Sequence, residues 1–179
     1  ELPFYFVEIA PFGYGNGLSP YLREAQCRAQ KLILGSGMVS TNDLVLPCEE
    51  GNIHPRDKRS VGRRLAFWAL NRTYGRKDVA CENMQFRSME IKDGKACLSF
   101  DNTFGGFGRA FDLRGFEICG ADRVFRPAQV HFEGNERLIV FLPDIPEPVA
   151  VRYGFRDFQP GNVVNTRELP LVPFRTDDF

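Results

Sequence analysis

Apolar and polar positions alternate at two different periods along the first 75 residues. The segment Leu2 to Ala10 is apolar on both alternating faces, which is typical of a strand covered on both sides, as in a parallel sheet. Ser19 and Pro20 then supply an N-cap and a first helical residue for a stretch with apolar residues at helical spacing. The four predicted elements are a strand over 2–10, a helix over 21–34, a strand over 37–41 and a helix over 57–74. Their order is that of an open α/β sheet.

Two strands cannot complete such a sheet. A parallel strand that is buried on both faces needs neighbours at both edges and helices on both sides, and this segment provides too few of either. We therefore expect the missing strands to lie on sequence outside this chain.

From about Asn83 the pattern changes to short strands and turns. Asp93-Gly94 between two alternating runs predicts a hairpin with a type I′ turn, and Gly134-Asn135 predicts a second one. The predicted strands are 84–91, 96–100, 116–119, 128–132, 137–142 and 149–155. This half reads as an antiparallel sheet or small sandwich, with the boundary between Gly75 and Asn83. The proline-rich tail Leu169 to Phe179 is expected to pack back across that boundary rather than to form a central strand.

Composition narrows the functional classes. The chain has 23 basic and 23 acidic residues, so its formal net charge is zero, and we expect no nucleic-acid or membrane-surface partner. No apolar run is long enough to span a bilayer, and the start of the chain lacks the basic flank of a signal peptide. The five cysteines and two histidines do not have the spacing of a zinc site, so we predict no metal and no cofactor.

The loop NDLVLPCEEGNIHPRDK, residues 42–58, carries the most chemistry. It places Asp43, Glu49, Glu50 and His54 after a strand, where open α/β sheets collect catalytic groups. A histidine oriented by a carboxylate through Nδ1 is the general base of an acyl-transfer triad. The alternative is a surface histidine beside a helix start. The basic residues that follow it, up to Arg64, are expected to form a solvated helix face, and the other histidine, His131, is expected to be structural.

The sequence resembles the carbohydrate (sialate) O-acetylesterases of the SGNH hydrolase superfamily. The blocks that carry the resemblance are LPFYFVEIAP, YLREAQ, GNIHPRDKRSVGRRLAFWALNRTYG, GFEICGADRVFRPAQV, PVAVRYGF and LPLVPFRTDDF. The resemblance implies a Ser-His-Asp esterase that removes acetyl groups from sugars, with His54 as the general base. It also implies that residues 1–78 are the C-terminal half of an SGNH-type α/β domain and that residues 79–179 are a separate antiparallel β domain with a C-terminal tail.

The sequence differs from the family in one respect, the absence of a nucleophilic serine block, and this difference decides what the chain can do alone. SGNH hydrolases carry the nucleophilic serine in a Gly-x-Ser block near the start of the catalytic domain, and no such block is present here. Ser36 lies between two glycines, but a turn between elements explains it better. We therefore expect the serine on an N-terminal half of the same enzyme, which would be the partner of this chain together with an O-acetylated sugar, and we expect the chain alone to be inactive.

The acid of the triad has two candidates. The residue three positions before His54 is Gly51, so the usual Asp-x-x-His spacing is missing. Asp43 is preferred because a residue at a strand end is held more rigidly than one in mid-loop, and Glu50 is the nearer alternative.

Two other functional interpretations remain open. The β half, with aromatic residues such as Tyr153 and Phe155 taken as exposed, also fits a noncatalytic carbohydrate-binding module. The third interpretation is a structural fragment with no activity of its own. The family resemblance implies a secreted, periplasmic or lysosomal protein.

Overall fold

The first part of the chain builds a pair of parallel strands joined by a helix. The structure is a computed structural model that describes residues 2–108 and 112–179. Strand β1 (Phe4–Val7) pairs in parallel with β2 (Ser36–Val39), and helix α1 (Ser19–Leu32) connects them. The predicted order of strand, helix and strand is confirmed. Within the described residues these are the only strands of the parallel sheet, so its completion by further strands stays a prediction.

Helix α1 begins one residue earlier than its sequence predicts, at Ser19 rather than Pro20. The side chain of Asp157 replaces the expected serine cap, because its carboxylate accepts hydrogen bonds from the backbone N–H groups of Asn16, Gly17 and Ser19. Asn16 and Gly17 precede the helix, and the Ser19 N–H is one of the helix N–H groups that have no partner within the helix. A residue 138 positions along the chain therefore satisfies them.

The second helix packs on the parallel strands. Helix α2 (Lys58–Trp68) begins at Asp57, whose carboxylate accepts from the Ser60 N–H at 2.9 Å, and it continues as a π-helix over Ala69–Thr73. The predicted helix over 57–74 is confirmed in extent, with the last turn widened. Trp68 lies flat against Gly37 of β2, and its Nε1 donates to the Met38 carbonyl at 3.1 Å.

The rest of the chain forms two four-stranded antiparallel sheets. One has the order β3-β4-β8-β7 and the other β10-β9-β5-β6. The strands are β3 (Gln85–Lys92), β4 (Lys95–Asp101), β5 (Phe116–Cys119), β6 (Arg126–Pro127), β7 (Gln129–Glu133), β8 (Arg137–Phe141), β9 (Ala150–Tyr153) and β10 (Phe174–Arg175). Both predicted hairpins are present, and Asp93 and Gly94 have the positive φ angles that a type I′ turn requires. One hydrophobic core, which includes Leu98, Ile118 and Val151, draws residues from both sheets.

The C-terminal tail is part of the core. Leu169 and Leu171 are fully buried, and Phe174 pairs with Tyr153 at the edge of the second sheet. Arg175 then reaches α1, where its Nε lies 3.2 Å from Glu24 Oε1. The prediction that the tail packs back across the two halves is confirmed, and its short edge strand fits its proline content.

Candidate active site

Polar side chains collect where the two parallel strands end. Glu8 comes directly after β1, and Ser40 comes directly after β2. The Ser40 hydroxyl donates to Glu8 Oε2 at 2.6 Å, and the Thr41 N–H donates to the same oxygen at 3.3 Å. The carboxyl ends of parallel strands are where open α/β sheets place their ligand and catalytic groups. The Glu8 side chain therefore ties the two strand ends together at the functional edge of the sheet.

Glu8 is an unusual acid because it is only 1% exposed. Burial raises the pKa of its carboxyl group from 4.5 to about 7, although the hydrogen bond from Ser40 and the charge of Arg23 act in the opposite direction. Its second oxygen, Oε1, has no hydrogen-bond partner among the described residues. The strand ends are thus joined by a group whose protonation changes near neutral pH.

Arg23 brings helix α1 to the same edge. Its Nη2 donates to the Gly154 carbonyl at 3.0 Å and to the Arg156 carbonyl at 2.5 Å, just beyond β9. Burial lowers the pKa of its guanidinium, while the carboxylates of Glu8 and Asp157 raise it. Arg23 therefore joins helix α1 to the segment that follows β9 of the second antiparallel sheet through one buried cation.

Asp43 lies in a turn four residues beyond the end of β2 rather than at the strand end itself, and it is bound by Arg64 of α2. Arg64 Nη1 donates to Oδ1 at 2.8 Å, and Nη2 donates to Oδ2 at 2.6 Å. The same Nη1 also donates to the Ser40 carbonyl at 3.0 Å. This bidentate pair holds the carboxylate and the strand end against the helix.

His54 lies on a loop that is closed at its base by a buried acid. The Glu49 carboxylate accepts the Leu46 N–H at 2.9 Å and the Arg56 N–H at 3.1 Å, and its side chain is 1% exposed. His54 itself is exposed, and its backbone N–H donates to Asn52 Oδ1 at 3.0 Å. The loop therefore presents an accessible imidazole from a fixed base.

Glu50 lies on the same loop and meets the glycine-rich loop over 11–17. The Gly13 N–H donates to the Glu50 carbonyl at 2.8 Å. A Cβ atom at Gly13 would lie 3.1 Å from Glu50 Cγ, so the two loops are in close contact. This contact places the glycine-rich loop directly beside the loop of His54.

The structure places Glu50 and His54 on one loop and Asp43 with Arg64. Within the described residues, the His54 imidazole makes no hydrogen bond to either carboxylate. The choice of acid between Asp43 and Glu50 therefore stays a prediction.

Sequence reasoning missed four buried charged residues, namely Glu8, Arg23, Arg64 and Glu117. The expected solvated face is wrong for Arg64, whose side chain is 4% exposed, because it is bound by Asp43 and by backbone carbonyls. A charged residue inside an apolar strand was the available signal for Glu8, whereas Arg23 lies off the apolar face of its helix and carries no such signal.

Other expectations from the sequence have clear outcomes. Tyr153 and Phe155 were expected to be exposed; this is wrong, because both lie in the packed interior at 0% and 3% exposure. β9 is an inner strand between β10 and β5, which explains the burial of Tyr153. Ser36 is the first residue of β2, directly after the turn that follows α1, and its hydroxyl donates to the Gln30 carbonyl at 2.9 Å. His131 lies exposed on β7 with its ring against Phe141.

The described residues offer neither a metal-binding cluster nor a membrane-spanning helix. Residues 2–108 and 112–179 contain no group of three or more histidine, cysteine, aspartate or glutamate side chains suited to hold a metal ion. In the same part of the chain, no helix is both long enough and apolar enough to cross a membrane.

Comparison with known proteins assigns the family. No protein-family model matches the chain. It is 31% identical to the sialate O-acetylesterase of Mus musculus over 135 residues, which is 69% of this chain and 25% of that protein. The crystal structure of a carbohydrate acetylesterase from Xanthomonas citri superposes on 99% of the chain with a TM-score of 0.86 and 35% identity. The chain belongs to the sialate O-acetylesterase-like carbohydrate esterases.

Both relatives are longer than the matched region. The chain spans 42% of the Xanthomonas citri protein and a quarter of the mouse protein. The parallel strands, the two antiparallel sheets and the tail therefore correspond to one part of the Xanthomonas citri structure.

Proposed function

We propose that the protein containing this chain is a carbohydrate O-acetylesterase and that His54 is its general base. The observation that carries the proposal is the near-complete match of this chain to a carbohydrate acetylesterase fold. The exposed position of His54 on a loop after β2 supports its role, because catalytic groups of open α/β sheets lie there.

The nucleophilic serine is proposed to lie on an N-terminal half of the enzyme. In this proposal residues 1–78 are the C-terminal half of an SGNH-type domain, and residues 79–179 are an antiparallel β domain. Strand β1 has a neighbour on one side only within the described residues, and its Phe4 side chain is 55% exposed. An added parallel strand would cover this edge, since such strands are normally buried. By family resemblance we assign the enzyme to a secreted, periplasmic or lysosomal location.

The reaction follows from the proposed groups. The serine oxygen attacks the acetyl carbonyl while His54 takes the serine proton, which gives a tetrahedral intermediate. The protonated imidazole then donates that proton to the sugar oxygen, and the ester bond breaks to leave an acetyl-enzyme. Water, activated by His54, releases acetate and restores the serine. The chain alone lacks the nucleophile and is proposed to be inactive.

Two carboxylates compete for the role of orienting His54. Asp43 is held rigidly, but Arg64 already donates to both of its oxygens. Glu50 shares the loop of His54 and is exposed. Loss of the acid by an amide substitution in a triad lowers kcat by roughly ten-thousandfold. Comparing kcat of Asp43→Asn and Glu50→Gln in the complete protein, at a temperature where circular dichroism shows both variants folded, therefore identifies the acid, because only one of them should show that loss.

The proposed reaction is tested by acetate release. The complete protein should release acetate from O-acetylated sugars, and a serine-directed phosphonate should abolish the activity and label a peptide outside residues 1–179. Labelling of a serine within this chain, or no acetate release from any acetylated sugar, would overturn the proposal.

A further inference from the structure

A cleft beside the glycine-rich loop has the composition of a sugar-binding site. The cleft has a volume of about 520 Å³ and lies where the glycine-rich loop over 11–17, which precedes α1, meets the second antiparallel sheet. Its residues are Gly17, Glu117, Phe125, Arg152, Phe155, Arg156, Asp157 and Phe158. Volumes of about 300–1,000 Å³ are usual for small-molecule sites.

The cleft is next to the proposed catalytic loop. The Phe12 N–H donates to the Asp157 carbonyl at 3.0 Å, and the neighbouring Gly13 N–H donates to the Glu50 carbonyl at 2.8 Å. Two adjacent residues of the glycine-rich loop thus contact the cleft wall on one side and the loop of His54 on the other. The glycine-rich loop therefore connects the wall of the cleft to the loop that carries His54.

Phe158 is the aromatic side chain of the cleft that is open to a ligand. The guanidinium of Arg152 lies 3.9 Å from the Phe125 ring centroid and 5.3 Å from that of Phe155, so it covers one face of each of those rings. No ring or cation within the described residues stacks on Phe158, which is half-buried. A partly exposed phenyl ring that lines a cleft can pack against the apolar C–H face of a pyranose ring.

Arg156 provides the polar contact beside it. Its Nε and Nη2 both donate to Glu117 Oε1, which leaves Nη1 for a ligand. The Arg156 side chain is 58% exposed, whereas Glu117 is buried. The carboxylate thereby fixes the guanidinium while one edge faces the cleft, and a planar donor of this kind matches sugar hydroxyl groups.

The charges of the cleft are compensated. Arg156 is paired with Glu117, Arg152 with Asp177, and the Asp157 carboxylate is taken up by backbone N–H groups. An anionic sugar gains most from a cation that has no other partner. The compensation favours a neutral ligand.

We propose that the Phe158 cleft is a subsite for neutral sugar residues that neighbour the acetylated unit of an oligosaccharide substrate. The proposal rests on the proposed esterase function and extends it, since it assigns the substrate to neutral oligosaccharides. Phe158 stacks on a pyranose ring, and Arg156 Nη1 donates to its hydroxyl groups.

Direct binding tests the subsite without relying on activity. The complete protein is titrated by calorimetry with three neutral tetrasaccharides, cellotetraose, xylotetraose and maltotetraose, and with the anionic 3′-sialyllactose. At least one neutral tetrasaccharide should bind. Phe158→Ala should weaken that binding about tenfold, and Phe158→Leu should weaken it to a similar extent. Phe158→Trp, which keeps an aromatic ring, should bind about as tightly as the parent. Phe104→Ala is the matched control, because Phe104 is an exposed phenylalanine at a separate cavity of about 510 Å³.

Three results would overturn the subsite. They are no binding of any neutral tetrasaccharide, equal binding by the parent and Phe158→Ala, and tighter binding of 3′-sialyllactose than of every neutral sugar. A parallel kinetic measurement compares kcat/KM on an acetylated oligosaccharide with that on 4-nitrophenyl acetate, and Phe158→Ala should lower this ratio about tenfold. If the parent binds neutral sugars but hydrolyses neither ester, the esterase proposal fails while the binding site stands.

Discussion

Arg64 binds Asp43 through both terminal nitrogens, at 2.8 and 2.6 Å, and both side chains are at most 10% exposed. This pair fixes the end of β2 to α2, one loop away from His54. It gives Asp43 a structural role whether or not the carboxylate also orients the imidazole.

Breaking that pair should destabilise the protein strongly. Asp43→Asn leaves the buried Arg64 cation without its counter-charge, which costs about 3–5 kcal/mol of the free energy of unfolding. Denaturant titration of the complete protein measures the loss. Arg63→Ala is the matched control, because its pair with Glu168 is exposed and is worth at most about 1 kcal/mol. Equal losses in the two variants would show that the Asp43–Arg64 pair does not hold the strand end.

Glu8 should make stability depend on pH. Its folded pKa of about 7 lies above the usual 4.5, so the folded state binds more protons than the unfolded state between these values. Below about pH 4.5 Glu8 is protonated in both states, and its ionisation does not affect the free energy of unfolding. Above about pH 7 it is ionised in both states, and the burial of this charge lowers the free energy of unfolding by roughly 3 kcal/mol. Glu8→Gln removes this ionisation and keeps an oxygen to accept from Ser40. Denaturant titration should show that the free energy of unfolding of Glu8→Gln, relative to that of the parent, increases between pH 5 and pH 8. A difference between the two proteins that does not change with pH would contradict the account.

Two glycines should respond in opposite ways to alanine. A Cβ atom at Gly37 would overlap the Trp68 indole, so Gly37→Ala should lower the melting temperature by several degrees. Gly62 in α2 has no atom within 4 Å of its would-be Cβ, so Gly62→Ala should gain about 0.5–1 kcal/mol. Differential scanning calorimetry of both variants decides the point. A Gly37→Ala protein that melts with the parent would mean that Trp68 does not pack on β2 as described.

The tail should be required for folding. Leu171 is fully buried in the core, so Leu171→Ala should cost about 2–5 kcal/mol. Deleting residues 169–179 also removes Leu169, Val172 and Phe174 from the interior and should lower the melting temperature by far more. Asp178→Ala, at an exposed position, serves as the control. A truncated protein that melts within one degree of the full chain would contradict the packed tail.

Local chemistry made much of the fold predictable. The hairpin turn at Asp93-Gly94 needs only two residues with positive φ, and the helical spacing over 57–74 needs only its own side chains. Both signals act between neighbours in sequence, so the sequence is enough to find them.

Long-range partners explain what sequence reasoning missed. The cap of α1 comes from Asp157, and the partner that buries Arg64 is Asp43, 21 residues away. Tyr153 was taken as exposed because its strand was not known to lie between two others. For the site, the position of His54 on a loop after β2 followed from the sequence, whereas the buried pair of Glu8 and Ser40 did not.

The two histidines of the chain provide the most direct test of the central claim. Kinetics on 4-nitrophenyl acetate and on an O-acetylated sugar should be measured for the complete protein with His54→Ala and, separately, His131→Ala. The account predicts that His54→Ala lowers kcat by roughly a thousandfold or more, while His131→Ala, on the exposed face of β7, stays within about twofold of the parent. A His54→Ala protein that is folded and loses less than about fivefold in kcat would show that His54 is not the general base.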